Sequence, residues 1–406
     1  MRMSGDSSQW TSSQLVLPSN IPTRSTSESG QDVSTQQMTM SYYIHSFVPS
    51  ISVASTSTSF YTALYIPMAL HTRGLLDALL ACASLHQARR AQTLEDEEQL
   101  LDLSNKYQLC CLGYLRERIN QGGDLREDAY GIVAITILLA GIESINGNNS
   151  TKWRKQIASA RNLLSRMCIG NSSKSWEVES LIRHLNYHDT MSSLMVGIGE
   201  PDPIAFDQHS PLAIGSESET SNYIDPLMGI SQDIFALIRR IQYLPRPISL
   251  SDPEYLMLEH EISQWKHADL ASLQIDLGTA LELTVLAEAN RLAALILLYR
   301  RADQLHPMLP SLASQTMSLI RCIPKASMTE AGFNLPLFVA GAELESEDEI
   351  EECLVRLFAM RDKFKFENIT NMILVLEEVW RARLNEERKR DWEDVLRSWG
   401  WTISLS

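Results

Sequence analysis

The sequence predicts an all-α fold: a large irregular domain of about a dozen or more helices behind a disordered Ser/Thr-rich N-terminal tail. Three observations predict it. From Tyr42 onward, apolar residues recur at the i, i+3, i+4, i+7 spacing of one helix face. The period-two alternation of half-buried strands is nearly absent. Gly, Pro and Asn clusters interrupt the periodic segments at helix-length intervals. A chain of 406 residues with 44% hydrophobic residues has ample material for one large core or for two fused halves.

Residues 1–40 are rich in Ser and Thr and poor in large apolar side chains, so they bury too little area to offset the entropy of ordering and are expected to be disordered. The ordered domain is expected over 41–401, with halves of roughly 41–200 and 222–401. Leu75, Leu76, Leu79, Leu80, Ala83 and Leu85 predict the first long helix, with Asp77, Arg89 and Arg90 away from its stripe. A helix over 99–120 is expected to bury Leu100, Leu103, Tyr107, Leu109, Leu112 and Leu115, and Gly122-Gly123 breaks the chain after it. The segment 128–145 is nearly uniform in apolarity, as for a helix enclosed on all sides, and closes at Asn146-Gly147. Helices over 152–167 and 176–196 follow.

After Gly197 a polar connection carrying Pro201, Pro203 and Pro211 is the best internal boundary. The second half predicts helices over 225–242, 252–266, 275–304 and 311–321. Met372, Val375, Leu376, Val379, Trp380 and Leu384 mark one more stripe, with a Glu377–Arg381 pair on its wet side. The apolar run from Phe333 to Glu343 reads as a buried helix, with Pro336 near its first turn and Gly341 permitting close helix contact. The acidic residues from Glu345 to Glu352 then read as a solvated helix start, where carboxylates face unpaired amides.

Fifty acidic against 35 basic residues give a net charge of −15, which repels a phosphate backbone. No segment is long and apolar enough to span a bilayer, and the N-terminus lacks the order of a secretory signal, so an intracellular, reducing setting is expected. The six cysteines, Cys82, Cys110, Cys111, Cys168, Cys322 and Cys353, are scattered and are expected as small buried hydrophobes.

His184 and His188, followed by Asp189, stand one helical turn apart, the spacing at which a helix offers two nitrogens to zinc. The Glu of the metalloprotease pattern and a third ligand are missing, and hydrogen bonding on an interior face is the alternative reading. Gly197-Ile-Gly199 lacks the strand of a phosphate cradle, and Gly229-Ile-Ser231-Gln lacks the closing glycine of a nucleophile elbow. The pairs Arg89-Arg90, Arg239-Arg240 and Arg300-Arg301 read as solvated or dipole-complementing charge, and Arg388-Lys389-Arg390 as a weak import signal. No catalytic, cofactor-binding, metal-binding or DNA-binding residue is assigned, and no cofactor is called for.

A succession of motifs in order carries a resemblance. Tyr42-Tyr-Ile-His-Ser-Phe-Val-Pro49, Ile66-Pro-Met-Ala-Leu70, Leu76 to His86, Leu185 to Leu194, Asp225-Pro-Leu-Met-Gly-Ile-Ser231, Leu286 to Ile296, Leu335 to Glu343, Asn368-Ile, Glu378-Val-Trp380-Arg and Trp399-Gly-Trp401 together resemble the fungal-specific transcription factor domain. This middle homology region ordinarily follows a binuclear zinc cluster. The sequence departs from the family after Trp153, where the usual His-Leu-x-Gly-Ala is replaced, and it carries no closely spaced cysteine pairs for a cluster.

The resemblance implies an all-α regulatory domain with no enzyme activity, nuclear or in part cytoplasmic. Its implied partners are the transcriptional machinery or another transcription factor, a small-molecule effector in an interhelical pocket and a second copy of the chain. It implies action as a co-regulator without direct DNA contact, or a start codon placed downstream of a cluster-coding exon, and no membrane. The alternatives are a pathway enzyme using His184, His188 or Asp189, and a ligand-binding adaptor on the same scaffold.

Overall fold

A computed structural model describes residues 30–57, 59–120, 129–168, 175–195, 224–267, 275–302, 306–384 and 391–405. In chain order the helices are α1 (Gly30–Tyr42), α2 (Val48–Ile51), α3 (Phe60–Ala63), α4 (Tyr65–His71), α5 (Arg73–Arg89), α6 (Leu94–Asn120), α7 (Ala129–Ile145), α8 (Lys152–Cys168) and α9 (Trp176–Leu194). They continue as α10 (Gln232–Tyr243), α11 (Pro253–Gln264), α12 (Leu277–Tyr299), α13 (Leu309–Arg321), α14 (Asn334–Gly341), α15 (Glu347–Phe364), α16 (Glu367–Leu384) and α17 (Trp392–Trp399). A π-helical turn over Tyr43–Phe47 joins α1 to α2, and a 3₁₀ turn over Met328–Gly332 precedes α14. Among the described residues there is no strand, only two isolated bridges, Asp225 with Gly229 and Ile248 with Ala302. The all-α expectation holds.

Helix α7 is buried along nearly its whole length, as its uniform apolarity requires, and packs against α5 and α8. It stops because Gly147 takes φ +64°, so that its N–H reaches the Ser144 carbonyl and the Asn148 N–H reaches that of Glu143. The second structural axis is α12, packed on α13 and α14. Its start is fixed by Asp276, whose carboxylate accepts from the Thr279 N–H at 2.9 Å. Asp252 and Asp391 cap α11 and α17 in the same way. One buried apolar cluster runs from Met40 to Leu405, drawing on both stretches of chain.

Helix α14 is buried from Leu335 to Gly341 and Pro336 stands in its first turn. A Cβ on Gly341 would lie 3.0 Å from Cys353 Sγ and 3.2 Å from Leu376, so glycine permits the approach of α15 and α16. The acidic run starts α15, with Glu347, Asp348 and Glu349 in its first turn.

Several expectations are corrected. Helix α1 begins at Gly30, inside the stretch expected to be a tail, because Gln36, Thr39 and Met40 are buried where α1 meets α5. In α6 the buried line is Ser104, Tyr107 and Cys111, while Leu109 and Leu112 are 69% and 48% exposed. The small Ser104 and Cys111 let α6 lie close along α5, and Ser104 Oγ bonds the Ala81 carbonyl at 2.9 Å. Asp77 is buried, 3.9 Å from Arg73. Residues 225–231 form a tight turn instead of a helix start: Asp225 accepts from the N–H groups of Leu227 and Met228, and Gly229 has φ +61°. Arg381 pairs with Glu378 at 2.7 Å, on i,i+3 spacing.

Arg239 and Arg300 are not solvated. Arg239 and Arg161 both grip the buried Asp189, the former at 2.9 Å. Arg300 engages Glu343, which is completely buried, together with Asp391. Cys322 is exposed and Cys110 half-buried, whereas Cys82, Cys111 and Cys353 are buried as expected. Gly122-Gly123, Gly197-Ile-Gly199, the proline-bearing connection, Arg388-Lys389-Arg390 and most of the Ser/Thr tail lie outside the described residues, as does the side chain of Cys168.

Candidate functional site

Helix α9 is buried on nearly every side, so its polar residues must find partners inside the protein. His184 finds four aromatic neighbours. Its ring stacks on Phe60 with centroids 4.6 Å apart, its Nδ1 lies 2.5 Å from the Tyr65 hydroxyl, its Nε2 lies 3.3 Å from the Tyr61 hydroxyl, and its Nε2 lies 2.9 Å from His188 Nε2. Helix α3 supplies Phe60 and Tyr61, α4 supplies Tyr65, and His188 lies one turn on along α9 itself.

The contacts fit two neutral imidazoles. Tyr65 O–H donates to Nδ1, which leaves the His184 proton on Nε2 to donate to His188 Nε2. Burial, reinforced by the neighbouring His188, holds His184 well below the ordinary histidine range, and burial brings His188 down to about 4. A shared metal would need both nitrogens to converge on a third point about 2.0–2.1 Å from each. Here the Nε2 atoms address one another and Tyr65 occupies Nδ1 of His184. No cluster of three or more His, Cys, Asp or Glu side chains is placed to hold a metal among the described residues.

The histidine pair forms one wall of a cavity of about 80 Å³, against roughly 10–15 Å³ needed to hold a single water. Helix α7 contributes Ile137, Leu138 and Gly141 to the lining, and the region around α14, α15 and α16 contributes Asn334, Phe364 and Asn368. Asp189, the third residue of the sequence motif, does not line it and turns to Arg161 and Arg239. Asn334 Nδ2 donates to the Leu405 carbonyl at 3.0 Å, whereas the buried Asn334 Oδ1 has no partner. Asn368 Nδ2 reaches Ser144 Oγ and the Ser404 carbonyl, each at 3.4 Å.

Among the described residues no Asp, Glu, Lys or Arg lines this space. Burial pushes the Cys82 thiol up to about 12 and raises the Tyr61 and Tyr187 hydroxyls, so no thiolate or phenolate forms there near neutrality. The arrangement can hydrogen-bond and enclose. It presents no activated nucleophile and no charged acid–base pair. Sequence reading found His184 and His188 but missed Tyr61, Tyr65, Asn334 and Gly141. Only Gly141 left a signal, as an isolated glycine within a uniformly apolar helix.

No helix is long and apolar enough to cross a membrane among the described residues. No solved structure matches the chain. It is similar to the transcriptional activator protein UGA3 of Saccharomyces cerevisiae, with 23% identity over 90% of this chain and 77% of that protein. It is likewise similar to the uncharacterized transcriptional regulatory protein C965.10 of Schizosaccharomyces pombe, with 21% identity over 89% and 70%. The family model for the fungal specific transcription factor domain matches residues 38–406, which takes in every helix from α2 onward and the cavity described above. The chain therefore belongs to the fungal specific transcription factor domain family.

Proposed function

We propose that the chain is a fungal transcriptional regulator that acts in the nucleus through contacts with the transcriptional machinery or with another transcription factor, on genes of a metabolic or secondary-metabolite cluster. The observation that carries this reading is the family match over residues 38–406. Two relatives named as transcriptional regulators support the same direction. A small-molecule effector seated between helices is the natural input to such a domain.

Transcript profiling of a deletion strain, with chromatin immunoprecipitation of the tagged chain, tests the reading. A coherent gene set that changes on deletion, with the chain recovered at its promoters, is the expected result. An unchanged transcriptome would refute it, and a fluorescent tag that never enters the nucleus would favour the adaptor alternative.

A further inference from the structure

Glycine is the least favourable residue, after proline, in the middle of a helix, so each helical glycine invites a reason. Packing supplies one at Gly74, where a Cβ would lie 2.4 Å from the Tyr114 ring, and at Gly131, where it would lie 2.9 Å from Thr72 Cγ2. At Gly141 a Cβ would meet nothing within 4 Å. The missing side chain at Gly141 serves no helix contact. It borders the cavity, and any larger residue there would grow into it.

Another lining residue, Asn334, offers an acceptor without a donor. Asn334 Oδ1 is buried and unpartnered, and the bond from Nδ2 to Leu405 fixes the amide so that this oxygen remains available. The remaining lining is apolar or neutral, so a formal charge on an occupant would be desolvated without compensation.

We infer that this cavity is the binding site of a compact, uncharged and largely apolar small molecule carrying one hydroxyl or N–H, which donates to Asn334 Oδ1, and that Gly141 keeps the space open for it. In its consequence for gene expression the inference rests on the regulatory reading above. The binding event itself does not, and a purely in vitro titration separates the two.

The test is calorimetric titration of the full chain with three probes of similar size: p-cresol, which has an apolar ring and one hydroxyl; toluene, which lacks the donor; and benzoate, which is charged. p-Cresol is expected to bind at least tenfold more tightly than toluene, with benzoate showing no binding. Gly141→Leu is expected to keep its helical circular dichroism and to lose at least tenfold in p-cresol affinity. Gly141→Ala, which adds one methyl group and favours the helix, gives a smaller loss of the same sign and serves should the leucine variant not fold. Absence of p-cresol binding at millimolar concentration, benzoate binding as tightly as p-cresol, or undiminished affinity in the folded Gly141 variants would each overturn the inference.

Discussion

The guanidinium carbon of Arg300 sits 3.5 Å from the centroid of the Trp392 ring, while its nitrogens bridge Glu343 at the end of α14 and Asp391 at the start of α17. This joins three segments far apart in sequence, and Arg246 extends it by holding Asp391 at 2.9 Å and also Glu393. Glu343 is completely buried, so its ion pair with Arg300 is shielded from water. Arg300→Met is expected to destabilise the protein by about 3–5 kcal/mol, since it removes the ion-pair partner of a buried carboxylate. The double variant with Glu343→Gln should recover part of that loss, and urea denaturation of both reads the difference.

Asp189 bears the same relation to Arg161 and Arg239, each less than a tenth exposed. Asp189→Asn is expected to cost about 3 kcal/mol by removing the carboxylate charge that two buried guanidinium groups share. Arg240→Met, which breaks the more exposed 2.5 Å pair with Glu261, should cost no more than about 1 kcal/mol. The ratio of the two losses, from denaturation midpoints, tests whether burial sets the energy.

Three histidines give stability a definite pH dependence. Burial, with Arg90 nearby, brings His86 down to about 4, burial alone takes His188 to about 4, and His184 lies well below its ordinary range. The unfolded chain takes up protons near pH 6.5, before the folded one, so their contribution is fully present above about pH 6.5 and is lost as pH falls toward 4. Each histidine contributes a slope of about 1.4 kcal/mol per pH unit in that window. His86→Phe places an apolar ring among Phe47 and Phe366 and should remove one such increment from the denaturation profile.

Lys365 ends α15 in the left-handed region, with φ 59° and an exposed side chain. A Cβ is strained there, and glycine is not. Lys365→Gly is expected to stabilise the protein by about 0.5–1 kcal/mol, read as a higher denaturation midpoint with an unchanged slope.

What the sequence disclosed depended on how far each signal extends along the chain. The enclosed α7, its stop at Gly147 and the buried α14 were legible because their causes lie within a single turn or a single periodic stripe. The face of α6 was misread because apolar residues lie on more than one side of it, and only the partner decides which side is covered. The burial of Arg239 and Arg300 was not legible at all. Their carboxylate partners lie 50 residues away in one case and 43 and 91 in the other, and no local pattern encodes such pairing. Of the cavity only His184, His188 and Gly141 left a signal, because its lining is drawn from helices far apart in the chain, α3, α7, α9, α14 and α16 among them.

The most direct test tethers the full chain to an unrelated DNA-binding module in a fungal host carrying a reporter with the matching site. A regulatory domain that works by contact should change reporter output several-fold in either direction, and the Gly141→Leu variant should be expressed equally well. A tethered chain that is nuclear, folded and abundant yet leaves reporter output unchanged would contradict it.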